Sequence, residues 1–192
     1  MSLGYLLGSV PFGLLLTRAA GAGDLRSIGS GNIGATNVLR TGRKGIAAAT
    51  LLLDIGKGFA AVKLAGLLGD DADSLMRLAA IAAFLGHCYP VWLAFRGGKG
   101  VATLLGIALA FGWIYALVFA LVWLGLVALF RYSSLGGMSA ALALPVTAFL
   151  SADIALVLLF LALSLIVLWK HRGNIARLIR REEPKIGASK GV

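Results

Sequence analysis

A single cysteine, Cys88, leaves no partner for a disulfide within the chain. Two histidines and eight acidic residues, none grouped with a histidine, offer no ligand set for a metal, so neither a metal nor another cofactor is expected. Charged residues make up only 14% of the chain against 59% hydrophobic, with a mean hydropathy of +0.93, which excludes an ordinary soluble domain. Acid is the scarcer sign, and 18 Lys and Arg leave a net charge of +10. In so apolar a chain that excess reads as the cytoplasmic loops of a membrane protein. A nucleic-acid surface would need basic residues interleaved on a folded polar face, and none is present, so no nucleic-acid partner is expected. The first apolar stretch lacks a cleavage signal and contains Pro11 and Gly13, so it reads as a membrane helix, not a signal peptide.

A spanning helix needs roughly 20 apolar residues. Candidate spans fall at about 2–19, 45–68, 75–95, 100–112, 114–130, 135–151 and 153–169. Residues 101–130 form one apolar run that could be one tilted helix or two short ones. Loop charge favours a break near Gly112 and Trp113. Seven spans with the N-terminus outside put fifteen of the 18 Lys and Arg on the cytoplasmic side, including Arg26, Arg40, Lys99, Arg131 and a basic tail from Lys170 to Lys190. The opposite side then holds Asp70, Asp71, Asp73 and Asp153. Trp92 and Trp169 suit a cytoplasmic aromatic belt and Trp113 an outer one. The expected fold is an all-α polytopic membrane protein, one domain over 1–192 with some short helices and no room for a soluble domain. Asp54 and Lys57 share a face of the second span, Asp54 roughly 14 Å deep, where unpaired charges are costly; a structural ion pair and a direct substrate contact both fit them.

Three polar clusters interrupt the apolar pattern, all on the predicted cytoplasmic side: GSGNIGATNVLR (29–40), GHCYPVWLAFRGGKGVAT (86–103) and KHRGNIARL (170–178). The first offers glycine backbone, the side chains of Ser30, Asn32, Thr36 and Asn37, and the Arg40 fork, which can grip a phosphate with two hydrogen bonds. Its G-x-G-x-x-G is no dinucleotide fingerprint, because no strand precedes it and the acid at position 54 lies in a membrane helix. A plain connector between helices is the alternative. In the second, Gly97, Gly98, Lys99 and Gly100 precede an apolar helix whose N-terminal NH groups and positive dipole end face the loop, an anion site by construction. It is not a Walker A loop, since Leu93 stands where glycine is needed and Val101 where Ser or Thr is needed. His87 reads as a packing residue before it reads as a base. In the third, His171 and Asn174 lie three apart on an expected interfacial helix whose face Leu178 continues, and a merely basic tail explains neither. No Ser-His-Asp set occurs, and from His87 the chain reads His-Cys-Tyr-Pro-Val-Trp, not an acyltransferase His-x4-Asp. Chemistry must therefore rest on positioning and charge neutralisation.

In order and spacing, GSGNIGATN, GHCYP…FRGGKGVAT and HRGNIARL resemble the bacterial acyl-phosphate:glycerol-3-phosphate acyltransferases. The resemblance covers nearly the whole chain. It implies transfer of an acyl group from fatty acyl phosphate to the 1-hydroxyl of sn-glycerol 3-phosphate, giving 1-acyl-glycerol 3-phosphate and phosphate, the first step of phospholipid synthesis. It implies no metal and no acyl-enzyme, a multi-pass enzyme of the bacterial inner membrane with its site facing the cytoplasm, and a soluble enzyme supplying the acyl phosphate. By resemblance, Arg40 and Lys99 neutralise phosphate, while Ser30, His171 and Asn174 orient the glycerol phosphate or acyl carbonyl. The glycine-loop NH groups are candidates for holding the oxyanion, and Ser134 is a further candidate contact in a loop that departs from some relatives. The first span is brief, so the chain is expected to begin late relative to its relatives. The rival class is an organic-phosphate or anion transporter, against which stand the absence of an internal repeat and the placing of the clusters at one surface.

Overall fold

The computed structural model describes residues 1–187, and among them every regular element is helical. Lys190 of the basic tail lies outside the described residues. The α-helices are α1 (Ser2–Ser9), α2 (Phe12–Ala19), α3 (Ala35–Leu39), α4 (Lys44–Ala65), α5 (Ala72–Cys88), α6 (Val101–Phe111), α7 (Trp113–Phe130), α8 (Ser133–Leu150), α9 (Ile154–Lys170) and α10 (Arg172–Ile179). They form two compact units, Met1–Trp113 and Ile114–Val192. The run over 101–130 does break at Gly112, which separates α6 from α7.

Among the described residues, four stretches are long and apolar enough to cross a membrane: Lys44–Ala65, Ala72–Leu93, Trp113–Phe130 and Ser133–Leu150. Ile154–Lys170 joins them when taken with Arg172–Ile179 across a 60° bend. The expected single helix over 2–19 is instead two helices of eight residues each, α1 and α2. Pro11 has no NH to give and cannot continue α1. The break strands carbonyls that a helix would have used, and distant side chains fill them. Trp92 Nε1 donates to the Ser9 carbonyl at 2.9 Å, and Lys57 Nζ to the Val10 carbonyl at 2.8 Å.

Within the first unit, glycines let helix backbones touch. A Cβ on Gly106 of α6 would run into the Ile55 carbonyl of α4, and one on Gly58 of α4 into the Thr103 carbonyl of α6. The pair α1 and α5 uses the same reciprocal device, Gly8 on Ala83 and Gly86 on Tyr5. In lipid no hydrophobic force drives helices together, so this close contact supplies the attraction. Gly106→Val should therefore cost about 3 kcal/mol, seen as a lower unfolding midpoint in detergent. Gly56→Ala, whose Cβ would meet nothing within 4 Å, is the matched control and should leave the midpoint at or slightly above wild type.

In the second unit Pro145 sits inside α8 and removes the NH that would have reached Ala141 four residues back. The Ser164 hydroxyl of α9 donates to that Ala141 carbonyl at 2.7 Å, so the bond lost at the proline is replaced by a contact between the helices. Tyr115 of α7 meets Phe160 of α9 with ring centres 5.4 Å apart. Only Tyr115 and Phe119 of α7 are buried, as expected for a helix turned largely to lipid.

Candidate functional site

The first cluster is a loop fastened by apolar pegs. Ile33 and Val38 are buried with Leu14, Leu25 and Ala47, which holds the loop against α2 and α4. Gly13 of α2 lies flush on the Ile33 carbonyl, where a Cβ has no room. Asn37 was expected to bind phosphate, but the structure gives it another task. Its amide protons are shared among the carbonyls of Leu25, Ile28 and Asn32 at 3.0, 2.9 and 2.8 Å, and its Oδ1 accepts from the Ser30 backbone NH at 3.2 Å. A buried carboxamide so engaged organises the loop and has no donor left for a ligand. Asn37→Ala should leave those carbonyls short of donors, lowering the unfolding midpoint by the equivalent of about 2 kcal/mol.

Around this pin Ser30 and Arg40 remain exposed, and Asn32 and Thr36 are half-buried. Arg40 closes α3, its Nη1 3.5 Å from Asn37 Oδ1, and Gly29 at φ +57° sits so close to both side chains that no Cβ fits. Asp24 opens the segment. Hydrogen bonds from the Arg26 side chain and backbone NH hold its carboxyl at about 2, so it stays ionised and offsets part of the local positive charge.

The second cluster folds back on the end of α5. The Gly97 and Gly98 NH groups donate to the Cys88 and His87 carbonyls at 3.2 and 3.1 Å. These two glycines were expected to offer their NH groups to phosphate; the structure spends them on seating the loop. Gly98 rests on the His87 imidazole, and Gly100 at φ +84° rests on the Phe84 ring, each where a Cβ would overlap the aromatic ring. The positive groups of this loop are the exposed Arg96, the half-buried Lys99 and the N-terminus of α6. Tyr5 ties the same turn to α1: its hydroxyl donates to the Tyr89 carbonyl at 2.8 Å and accepts from the Val91 NH at 3.0 Å.

The third cluster lies in the second unit. His171 stands at the corner between α9 and α10, ahead of the expected interfacial helix and not within it, and is buried. Its Nδ1 lies 2.8 Å from the Val167 carbonyl, which can only accept, so the neutral ring carries its lone pair on Nε2. Asn174 is also buried and donates to Glu183 Oε1 at 2.6 Å. That same oxygen accepts the Ser134 hydroxyl at 2.6 Å, and Oε2 accepts Arg177 Nε at 2.7 Å. Burial raises the Glu183 pKa, but the hydrogen bonds from Ser134, Asn174 and Arg177 outweigh it and hold the carboxyl below its ordinary value. Glu183 was missed in the sequence. The one available signal was an acidic pair, Glu182 and Glu183, inside a basic tail; its partner Ser134, 49 positions away, leaves no local trace.

A family model described as glycerol-3-phosphate acyltransferase matches residues 1–181. The chain belongs to this family. Glycerol-3-phosphate acyltransferases of Mesorhizobium japonicum and Brucella ovis are 58% and 54% identical to it, each over 96% of this chain and over 93% and 90% of theirs. That of Zymomonas mobilis is 52% identical over 97% of this chain and 93% of its own. Crystal structures of PlsY (YgiH), an integral membrane glycerol 3-phosphate acyltransferase, share the fold. The glycerol 3-phosphate form gives a TM-score of 0.87 at 37% identity, and the lysophosphatidic acid form 0.84 at 35%, each over 96% of this chain and 92% of that one. The family match takes in all three clusters and ends just short of Glu183.

Proposed function

We propose that this chain, as one acyltransferase domain over 1–192, moves a fatty acyl group from acyl phosphate to the 1-hydroxyl of sn-glycerol 3-phosphate. The observation that carries this reading is the likeness, over nearly the full length of both chains, to an acyltransferase structure in its glycerol 3-phosphate form. The products are 1-acyl-glycerol 3-phosphate and inorganic phosphate. The C–O bond to the new ester forms at the acyl carbon, the bond from that carbon to the phosphate oxygen breaks, and the hydroxyl proton leaves with the phosphate. Acyl phosphate is an activated mixed anhydride, so the protein need supply only placement and charge neutralisation.

Arg40 and Lys99 serve as the phosphate cations: the exposed guanidinium offers a bidentate fork, and the ammonium stands beside the α6 N-terminus. The exposed Ser30 and half-buried Asn32 and Thr36 supply neutral contacts. His171 orients a substrate hydroxyl, which donates to its Nε2, and Asn174 orients a substrate group through the part of its carboxamide that does not face Glu183. Seven spans with the N-terminus outside put the basic loops, and the site with them, on the cytoplasmic face of the bacterial inner membrane. A soluble enzyme then delivers the acyl phosphate.

The test uses the purified chain in lipid with labelled glycerol 3-phosphate and three donors: palmitoyl phosphate, palmitoyl-CoA and palmitoyl acyl carrier protein. Labelled lysophosphatidate from palmitoyl phosphate alone is the expected result. Product from a thioester would move the donor assignment. No product with any donor, from folded protein, would return the transporter reading and call for uptake into sealed vesicles.

A further inference from the structure

An acid, an amine and an imidazole of the first unit sit away from the exposed loops, inside the membrane helices themselves. Asp54 and Lys57 of α4 and His87 of α5 are all buried, at 3%, 6% and 5% exposure. Lys57 Nζ lies 2.6 Å from Asp54 Oδ1, and His87 Nδ1 lies 3.8 Å from the same oxygen. A charge pair at this depth is costly to keep, so its geometry has to be accounted for. Two connections run out of it. On one side, Lys57 donates to the Val10 carbonyl at the α1–α2 break and lies over the Phe12 ring at 5.6 Å. On the other, His87 carries the phosphate loop: its carbonyl accepts the Gly98 NH, and its imidazole lies where a Gly98 Cβ would stand. Lys99 is the next residue.

We propose that Asp54, Lys57 and His87 act together as a positioning device that sets the 97–100 loop, and with it Lys99, at the geometry needed to take a substrate phosphate. This rests on the acyltransferase reading above. Lys57 holds the Asp54 carboxylate 3.8 Å from the imidazole, a charge contact longer than a hydrogen bond, while the broken first span supplies the carbonyl that holds Lys57. None of the three touches substrate. Their effect reaches the reaction through the seat of Gly98, so loosening the cluster shifts Lys99 without removing it.

The test compares wild type, Asp54→Asn, Asp54→Glu, Gly98→Ala and Lys99→Arg, each purified in lipid, with both substrates varied in turn. For Asp54→Asn and Gly98→Ala the expected result is a KM raised about tenfold for one substrate, the same one whose KM Lys99→Arg raises. Their kcat stays within about twofold and the other KM is unchanged, and Asp54→Glu recovers part of the loss. Unchanged KM values in folded Asp54→Asn would overturn the proposal. So would a joint fall in kcat and both affinities that tracks a lowered unfolding midpoint, the mark of a merely structural pair. A second readout needs no acyl transfer: inorganic phosphate should raise the unfolding midpoint of wild type and fail to do so in Asp54→Asn. Wild type without transfer sinks the acyltransferase reading, whereas an equal phosphate shift in wild type and Asp54→Asn sinks the positioning device.

Discussion

Lys99→Ala should lower kcat/KM for acyl transfer by about a hundredfold or more, the usual cost of deleting a preorganised charge at a transferring group. The expectation follows from where the charge of the second cluster stands. The Gly97 and Gly98 NH groups are bonded to the end of α5, so the loop's positive charge comes from the exposed Arg96, Lys99 and the α6 N-terminus, and of the two cations Lys99 is the nearer in the chain to that terminus. Lys99→Arg keeps the charge but swaps a compact ammonium for a planar fork, and should fall between wild type and alanine. Labelled lysophosphatidate formed from palmitoyl phosphate measures the effect. Activity of the alanine variant within about threefold of wild type would take Lys99 out of the reaction, since a charge-stabilising role cannot be that small.

Glu183→Ala should be the most damaging change in the second unit. It strips three donors of one buried acceptor: the Ser134 hydroxyl, the Asn174 amide and the Arg177 guanidinium. Charged hydrogen bonds contribute about 1.5–3 kcal/mol each, but Arg177 is one-third exposed and recovers part of its loss from water, so about 3 kcal/mol in total is expected. Activity should fall further than stability alone explains, because Asn174 loses the contact that aims its carboxamide. Glu183→Gln retains the shape and should cost less. The same cluster sets an acid limit. The folded pKa of Glu183 lies below the ordinary 4.5, so its stabilisation is complete above that value and drains away as pH falls through the depressed one. Unfolding midpoints of wild type and Glu183→Gln, measured downward from pH 6, should converge in that range; parallel curves would show that the carboxylate charge contributes nothing.

Much of this was legible from composition and periodicity, for physical reasons. Residues costly beside lipid stand out against an apolar background, so the three clusters and the break at Gly112 could be read directly. Asp54 and Lys57 were legible as a pair because helical spacing alone brings them together. What could not be read is the use to which each donor is put. Asn37 and Ser30 look alike as polar loop residues, yet one is buried under three carbonyls and the other exposed. The split of the first span was visible only as Pro11 within an apolar run, since the Trp92 and Lys57 donors that make a broken helix tolerable lie far along the chain. Glu183 was hidden for the same reason.

The Glu183 cluster also fixes an order of events in biogenesis. Ser134 reaches the membrane-insertion machinery 49 residues before its acceptor does, and Asn174 nine residues before. Until the ribosome has delivered Glu183, a hydroxyl, an amide and a guanidinium wait without the carboxylate that joins them. A nascent chain stalled or cut before that residue therefore carries the clusters of the family and an open polar seam.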